Sequence, residues 1–562
     1  MAPMTVGSRT RRQFLQAAAA LAAATSRTKM WAQPTRSSET KEKIRGLMVD
    51  AARVPENLAY YRRVLDFCSD WELNTLQFRL TDDQGTALRF ASVPSLITHP
   101  HAFSPDELHA LATYGRTRGV DLQPEIEAFG HTGYITRSPA YKHLLDDDPH
   151  GSAEFTGIIP VHPETPQLFE KLFREVASIF PSQYLHGGCD EVNWGGSALS
   201  RKALQTRTRA DIWADWLNQL NKLAQSHGKT FIVWGDYVLG KQPDILPRLD
   251  KRIVIMDWNY WDTDPAPFRK SLDRVRANGS RGIGAPGLIS YRWGPRPGTS
   301  QLGNIDAFAD VYLASGNPAS LGAVLTNWVP SRYIQNSLWD GFAYAAVAFN
   351  HGSATARASA FQRFVERHYG AQGNEHWSEA FKLLYDAAPL YGNSDSMPLK
   401  SRLPVPFSSE AELATALKTR IQPVNPFPHI RELLAQVQPA VKKNEADFAA
   451  LQLSVRYLDA LFDRESIIQK TAATSRLDHN SAQQLICSIA DRDRALLDDL
   501  NKDWDTGRPS DSPAKLAPLY GMAPKDQLVF QWSRAAAFSA ELAATPDRLL
   551  AILRSAGLPV KD

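Results

Sequence analysis

The stretch Leu185 to Gly196 reads LHGGCDEVNWGG and sets two acids, Asp190 and Glu191, side by side after a run with almost no side-chain bulk. Adjacent carboxylates repel one another, so a chain that keeps both needs a separate partner or a separate task for each. Three other stretches combine small residues with titratable groups: VDAAR with Asp50 and Arg53, LTDDQG with Asp82 and Asp83, and EIEAFGH with Glu127 and His131. Carboxylates and an imidazole move protons, and a guanidinium grips vicinal hydroxyls or anions. Isolated acids at such places are often only turn or cap residues. The chemistry therefore depends on whether the fold brings the stretches together.

From residue 44 onward short β-rich runs alternate with helical stretches, the pattern of parallel βα units. The expected strands are 44–50, 75–80, 121–128, 184–191, 230–236, 253–258, 287–293 and 323–328. Eight is the number that closes a (β/α)8 TIM barrel, an α/β fold. Between them, NLAYYRRVLDFCSDW and SPDELHALATYGRTRG have helical periodicity, the second opening on a Ser-Pro-Asp-Glu start signal and stopping at Gly119. The strand ends carry Asp50 and Arg53, Asp82 and Asp83, Glu127 and His131, Asp190 and Glu191, Trp234 and Asp236, Trp258 and Tyr260, Tyr291 and Trp293, and Trp328. In such a barrel those ends converge on one mouth, where ligands bind. The expected domain plan is a leader over 1–35, the barrel over 44–390, a Pro/Ser-rich connector over 391–427 and an α-helical C-terminal extension over 428–562. That extension holds no internal repeat and no catalytic constellation.

A net charge of +3 over 562 residues points to neither nucleic acid nor an anionic membrane as partner. The 14 Trp and 17 Tyr leave flat faces on which sugar rings stack, although most such rings are ordinary core. The N-terminal SRTRRQFLQAAAALAAATS, with Arg11-Arg12 before a short Ala-rich run, resembles a twin-arginine export signal, with small-residue cleavage options around Ala22 to Ala24. It implies the twin-arginine machinery as a partner and a periplasmic or secreted protein. No run reaches the ~20 apolar residues of a membrane span. Cys68, Cys189 and Cys487 are odd in number and form no CxxC, so neither a disulfide framework nor a zinc cluster is expected.

RGLMVDAAR, LNTLQFRLTDDQG, PEIEAFGHTGY and LHGGCDEV resemble, in order, the strand-end motifs of glycoside hydrolase family 20, the β-N-acetylhexosaminidases, over about residues 44 to 370. The GCDE form, the FGH after strand three and LTNW at strand eight are closer to the hexosaminidase D branch. The resemblance implies exo-acting, retaining hydrolysis of terminal β-linked GlcNAc or GalNAc from a glycan or glycoconjugate, with no cofactor and no metal. The family belongs to the substrate-assisted exceptions among glycosidases. It implies Glu191 as general acid and base, and Asp190 as the carboxylate that orients the substrate's own 2-acetamido group while its oxygen attacks the anomeric carbon. Asp190 and Glu191, as neighbours on a strand, are expected to point in different directions, which suits such a division. The resemblance further implies His131 and Asp83 as the pair that tunes and orients the acid, and Arg53 as the grip on sugar hydroxyls. It makes Trp234, Trp258 and Trp328 an aromatic box, and Tyr260 or Tyr291 the hydroxyl on the acetamide oxygen.

The sequence departs from the family pattern in three ways. Glu127 stands where PEID has Asp, so its dyad with His131 is open. NWVPSRY lacks the Glu of W-x-E, which leaves gluco against galacto preference open. The α/β domain that often precedes the barrel is expected to be missing. Two rivals remain: a metal-dependent barrel hydrolase using His99 and His101 of THPHAF, and a non-catalytic sugar-binding barrel.

Overall fold

The computed structural model describes residues 42–146, 156–290, 295–387, 406–419, 424–474, 476–508 and 527–561. The stretch expected as an export leader, Tyr291, Trp293 and about half of the expected connector lie outside the described residues. Eight strands form the barrel: β1 Ile44–Asp50, β2 Thr75–Arg79, β3 Asp121–Glu125, β4 Tyr184–His186, β5 Thr230–Trp234, β6 Val254–Trp258, β7 Arg281–Ala285 and β8 Ser320–Asn327. All pair in parallel with their sequence neighbours, and β8 returns to β1 to close the ring. Runs such as TFIVW in β5 and VIMDW in β6 are β-branched, aromatic and almost wholly buried, as strands between a filled interior and a helical shell must be. The seam pairs Ile44 with Gly322. A Cβ on Gly322 would lie 1.9 Å from the Ile44 carbonyl oxygen, and φ there is +130°, so the closure admits no side chain at that position.

Helix Leu58–Asp70 buries Tyr60, Tyr61, Val64, Leu65, Phe67 and Cys68 against the barrel. Helix Pro105–Thr117 starts on a Ser104–Glu107 capping box, as its start signal demands. Strand seven is displaced from its expected place at 287–293: Arg281–Ala285 is the barrel strand, and after Pro286 the short strand Gly287–Ile289 continues along β8. The run RGIGA is too poor in bulky residues to be read as a strand, and its burial comes from the helices packed around it. Strands three and four end at Glu125 and His186, earlier than expected. A small sheet of Thr81–Asp82, Gly85–Leu88 and Thr98–Phe103, which the sequence pattern does not signal, sits over the end of β2.

Helix Glu410–Thr419 lies inside the stretch expected as connector. Helices Phe427–Val437, Glu445–Thr474, His479–Gly507, Leu528–Ala544 and Pro546–Ser555 build the C-terminal region. One continuous apolar cluster runs from Leu47 and Phe78 of the barrel through Leu434, Leu451 and Tyr457 to Trp504 and Trp532. A second cluster, with Phe407, Ile468, Ile486 and Leu549, lies within the helical region alone. Residues Lys43–Asp562 thus form one compact unit. Among the described residues no helix is long and apolar enough to cross a membrane.

Candidate active site

Past the strand ends the backbone turns sharply. His131, Cys189, Glu191 and Val329 take φ of +48°, +73°, +46° and +57°, a region that costs a non-glycine residue about 1–2 kcal/mol. Such strain persists only where the surroundings over-determine it. Since β4 has already ended at His186, Asp190 and Glu191 sit in this left-handed turn and not on a strand, and instead of pointing apart both carboxylates approach His131 Nε2. The small residues before them make room for other groups of the protein. A Cβ on Gly188 would lie 1.9 Å from Glu127 Oε2, so its bareness seats the Glu127 carboxylate behind the acids. Glu127 accepts the Cys189 N–H at 3.0 Å and pairs with Arg79 at 2.6 Å. Its longer side chain is thereby committed to Arg79 and the Cys189 backbone, which answers the open question of its partner.

His131 is buried at the centre of the acids. Its Nδ1 lies 3.3 Å from Asp83 Oδ2 and 3.6 Å from Asp82 Oδ1, and its Nε2 lies 3.3 Å from Glu191 Oε2 and 3.9 Å from Asp190 Oδ2. Asp83 is fixed in turn by the Gly133 N–H at 2.9 Å and by the Thr156 hydroxyl. Burial disfavours the imidazolium, yet the charges of Asp82 and Asp190, with hydrogen bonds donated by the ring to Asp82 and Asp83, raise the His131 pKa well above the ordinary value. Burial likewise opposes the Asp82 carboxylate, while Arg53, His131 and Arg79 hold it well below the usual carboxylate range. Arg53 bridges Asp50 at 2.8 Å and Asp82 at 3.0 Å.

The two adjacent acids differ in setting. Burial raises the pKa of Asp190. Its Oδ1 is buried with no hydrogen-bond partner among the described residues. Burial also pushes Glu191 upward, but hydrogen bonding and charge from His131, aided by Lys241 and Arg53, lower it overall. The side chains of Asp190 and Glu191 are 10% and 36% exposed, so one lies at the floor and the other at the rim.

Trp234 donates its indole N–H to Glu125 at 3.0 Å, and its ring lies 5.7 Å from Trp328. Trp328 donates to the Tyr260 hydroxyl at 2.8 Å and carries the guanidinium carbons of Arg79 and Arg53 at 4.9 and 5.6 Å from its ring centre. Trp258 lies 5.2 Å from Tyr260, and its Nε1 is buried without a hydrogen-bond partner among the described residues. The fold therefore brings Arg53, Asp83, His131, Asp190, Glu191, Trp234, Trp258, Tyr260 and Trp328 to one end of the barrel.

Sequence reasoning missed Arg79, which lies fully buried on Asp82, Glu125 and Glu127 at 2.5, 2.6 and 2.6 Å. The signal was present in TLQFRL, where Gln77 and Arg79 alternate with Leu76 and Phe78 and so share one face of β2. Asp236 and Lys241 were also missed as a pair, joined at 3.0 Å. His99 is buried on the Ala52 carbonyl, and burial pushes it down to about 4. Among the described residues His99 and His101 join no group of three ligating side chains, the groups of that kind being Asp82, Asp83, His131 and His131, Asp190, Glu191. Both of these centre on a histidine whose charged form the same carboxylates favour.

Residues 43–291 match the family model "Glycosyl hydrolase family 20, catalytic domain". A beta-hexosaminidase of Vibrio furnissii is 26% identical over 250 residues, covering 38% of this chain and 40% of that protein. One of Akkermansia muciniphila is 31% identical over 190 residues, covering 30% of this chain and 38% of the relative. The chain spans less than half the length of these curated relatives. Among solved structures, the exo β-N-acetylglucosaminidase of Vibrio harveyi in complex with N-acetylglucosamine aligns with a TM-score of 0.44 at 21% identity, over 62% of this chain and 57% of that one.

Proposed function

Since residues 43–291 of this chain belong to glycosyl hydrolase family 20, we propose that the protein is an exo-acting, retaining β-N-acetylhexosaminidase that removes terminal β-linked GlcNAc or GalNAc from glycans or glycoconjugates. The observation that carries this reading is the buried, unpartnered Asp190 Oδ1 directly beside the rim acid Glu191. A carboxylate in that position accepts the N–H of a 2-acetamido group seated on the floor. As the acetamide oxygen attacks the anomeric carbon, the N–H gains positive character, and the fixed carboxylate stabilises the transition state more than the ground state. No protein nucleophile is then needed.

Glu191 at the rim protonates the glycosidic oxygen as its bond to the anomeric carbon breaks, and afterwards takes a proton from the water that opens the oxazolinium-like intermediate. His131, held by Asp83 and Asp82, exchanges a proton with Glu191 across 3.3 Å. Arg53, anchored on Asp50 and Asp82, offers its remaining donors to sugar hydroxyls. Trp234, Trp258 and Trp328 enclose the N-acetyl methyl and the sugar face, and Tyr260 or Tyr291 supplies the hydroxyl for the acetamide oxygen. Export by the twin-arginine route to the periplasm or beyond accompanies this reading, on the strength of the Arg11-Arg12 leader.

The test is a panel of aryl β-glycosides with and without the acetamide and in both C4 configurations. Turnover is expected only of the N-acetylated sugars, and hydrolysis of a plain β-glucoside at the same rate overturns the substrate-assisted mechanism. Glu191→Gln is expected to cut turnover by about 10²–10⁴, and Asp190→Asn by about 10²–10³, with the melting temperature of each retained.

A further inference from the structure

After β5 the chain makes one π-helical turn, Asp236–Lys241, of sequence DYVLGK. Wound in this way, the turn brings its first and last side chains together: Lys241 Nζ lies 3.0 Å from Asp236 Oδ2. The same oxygen accepts the backbone N–H of Glu191 at 3.3 Å. Tyr237 of the turn donates its hydroxyl to the Val192 carbonyl at 3.0 Å and rests 4.1 Å from the Trp213 ring, with the Lys241 ammonium 4.4 Å above its own ring. The turn therefore holds the main chain on both sides of Glu191, a residue whose φ of +46° needs such support.

We propose that Asp236 and Lys241 are positioning residues for Glu191: Asp236 fixes its backbone, and the Lys241 ammonium, held on Asp236, brings a positive charge to its side of the site. This rests on the reading of Glu191 as acid and base. His131 lies 3.3 Å from that carboxyl, and the charges acting on it come also from Asp190 on the barrel side, Lys241 of the turn and Arg53 past the end of β1, with the Tyr237 and Tyr260 hydroxyls as the neighbouring neutral titratable groups. Asp236, buried against Lys241 and Asp190, is pushed up to about 6, mainly by burial. Lys241 favours the ionised form of Glu191, while an ionised Asp236 tempers that pull. The π-helical winding is what allows one short loop to supply both the anchor and the charge.

The signs of two substitutions are therefore opposite. Lys241→Met removes a cation, so Glu191 keeps its proton to higher pH and the alkaline limb of kcat/KM moves up, on the order of half a pH unit. Asp236→Asn leaves an acceptor for the Glu191 N–H but removes the charge that tempers Lys241, so the limb moves down by a similar amount. Lys241→Arg keeps the charge and the wild-type limb. The measurement is the pH profile of kcat/KM on a chromogenic β-N-acetylglucosaminide, with melting temperatures alongside. Unmoved limbs in both Lys241→Met and Asp236→Asn, whatever happens to kcat, overturn the proposal. If Asp236→Asn fails to fold, Lys241→Met against Lys241→Arg decides alone. Absence of turnover by the wild type overturns the hydrolase reading and this inference with it, whereas turnover with unmoved limbs defeats only the inference.

Discussion

His131 Nε2 lies 3.3 Å from Glu191 Oε2, close enough for the two to share one proton. The surrounding acids hold His131 well above its ordinary pKa, and His131 holds Glu191 below its own, so the proton rests on the imidazole in the free protein. The form that the proposed mechanism needs, with the proton on Glu191, has the same proton count. The pair therefore titrates as a unit, and the alkaline limb of kcat/KM is expected to lie well above the ordinary glutamate range of about 4–5. A limb at that ordinary value would show that Glu191 titrates alone. Stability has a different pH dependence. Asp236 and Asp257 are pushed up to about 6 and Glu56 to about 7, each chiefly by burial, so the folded state binds more protons than the unfolded one between about pH 4 and 7. Their contribution is fully present below the unfolded pKa of about 4 and fades as pH rises through the folded values. Asp82, held low, acts oppositely and withdraws its stabilisation as pH falls through its depressed value. A melting temperature highest on the acid side of neutrality and falling toward pH 8 is expected, and a scan by circular dichroism over that range checks it.

Gly188 carries the argument at the level of elements. Alanine there would meet Glu127 Oε2 at 1.9 Å on a backbone of φ +61°, so Gly188→Ala is expected to cost about 2–5 kcal/mol and to displace Asp190 and Glu191 together. Denaturant unfolding and turnover measure both effects, and a stable, active variant would contradict the packing argument. This position also marks what a sequence pattern can deliver. The acids, their order and the strand alternation of polar and apolar residues were legible in the chain, and so was the barrel. The reason for Gly188 was not, because it lies in Glu127, which is 61 residues away in the chain and meets it only across neighbouring strands. The left-handed turns at His131, Cys189 and Glu191 were equally hidden, since side-chain type does not announce a conformation that tertiary contacts impose. Strand β7 escaped notice for a related reason: RGIGA is buried by Phe308 and Tyr312 of the following helix, whose rings crowd Gly284, and carries little periodicity of its own.

At the scale of the whole molecule the question is whether the helical region is an appendage or part of the catalytic unit. Arg508, at the C-terminal end of helix His479–Gly507, is buried on the mouth side of the barrel. It contacts Glu56 at 2.9 Å, the Pro330 carbonyl at 2.7 Å and Gln335 at 3.3 Å, with its guanidinium 4.0 Å over Trp504. Glu56 stands three residues after Arg53, and Pro330 two after Trp328. The Val329 N–H reaches Asp50 at 3.2 Å, so the same loops are tied to the anchor of Arg53. Removing a single partner of a buried pair leaves the other charge or acceptor without compensation, so Arg508→Met is expected to destabilise by about 3–5 kcal/mol. Because the barrel and the helices share one apolar core, that loss is expected in a single cooperative transition for both. It is also expected to raise KM more than Glu191→Gln does, since it loosens the loops that hold Arg53 and Trp328. Guanidinium unfolding followed by far-UV circular dichroism and by tryptophan fluorescence makes the check. Two separated transitions, with the barrel transition unmoved by Arg508→Met, would mean that the helices add nothing to the site.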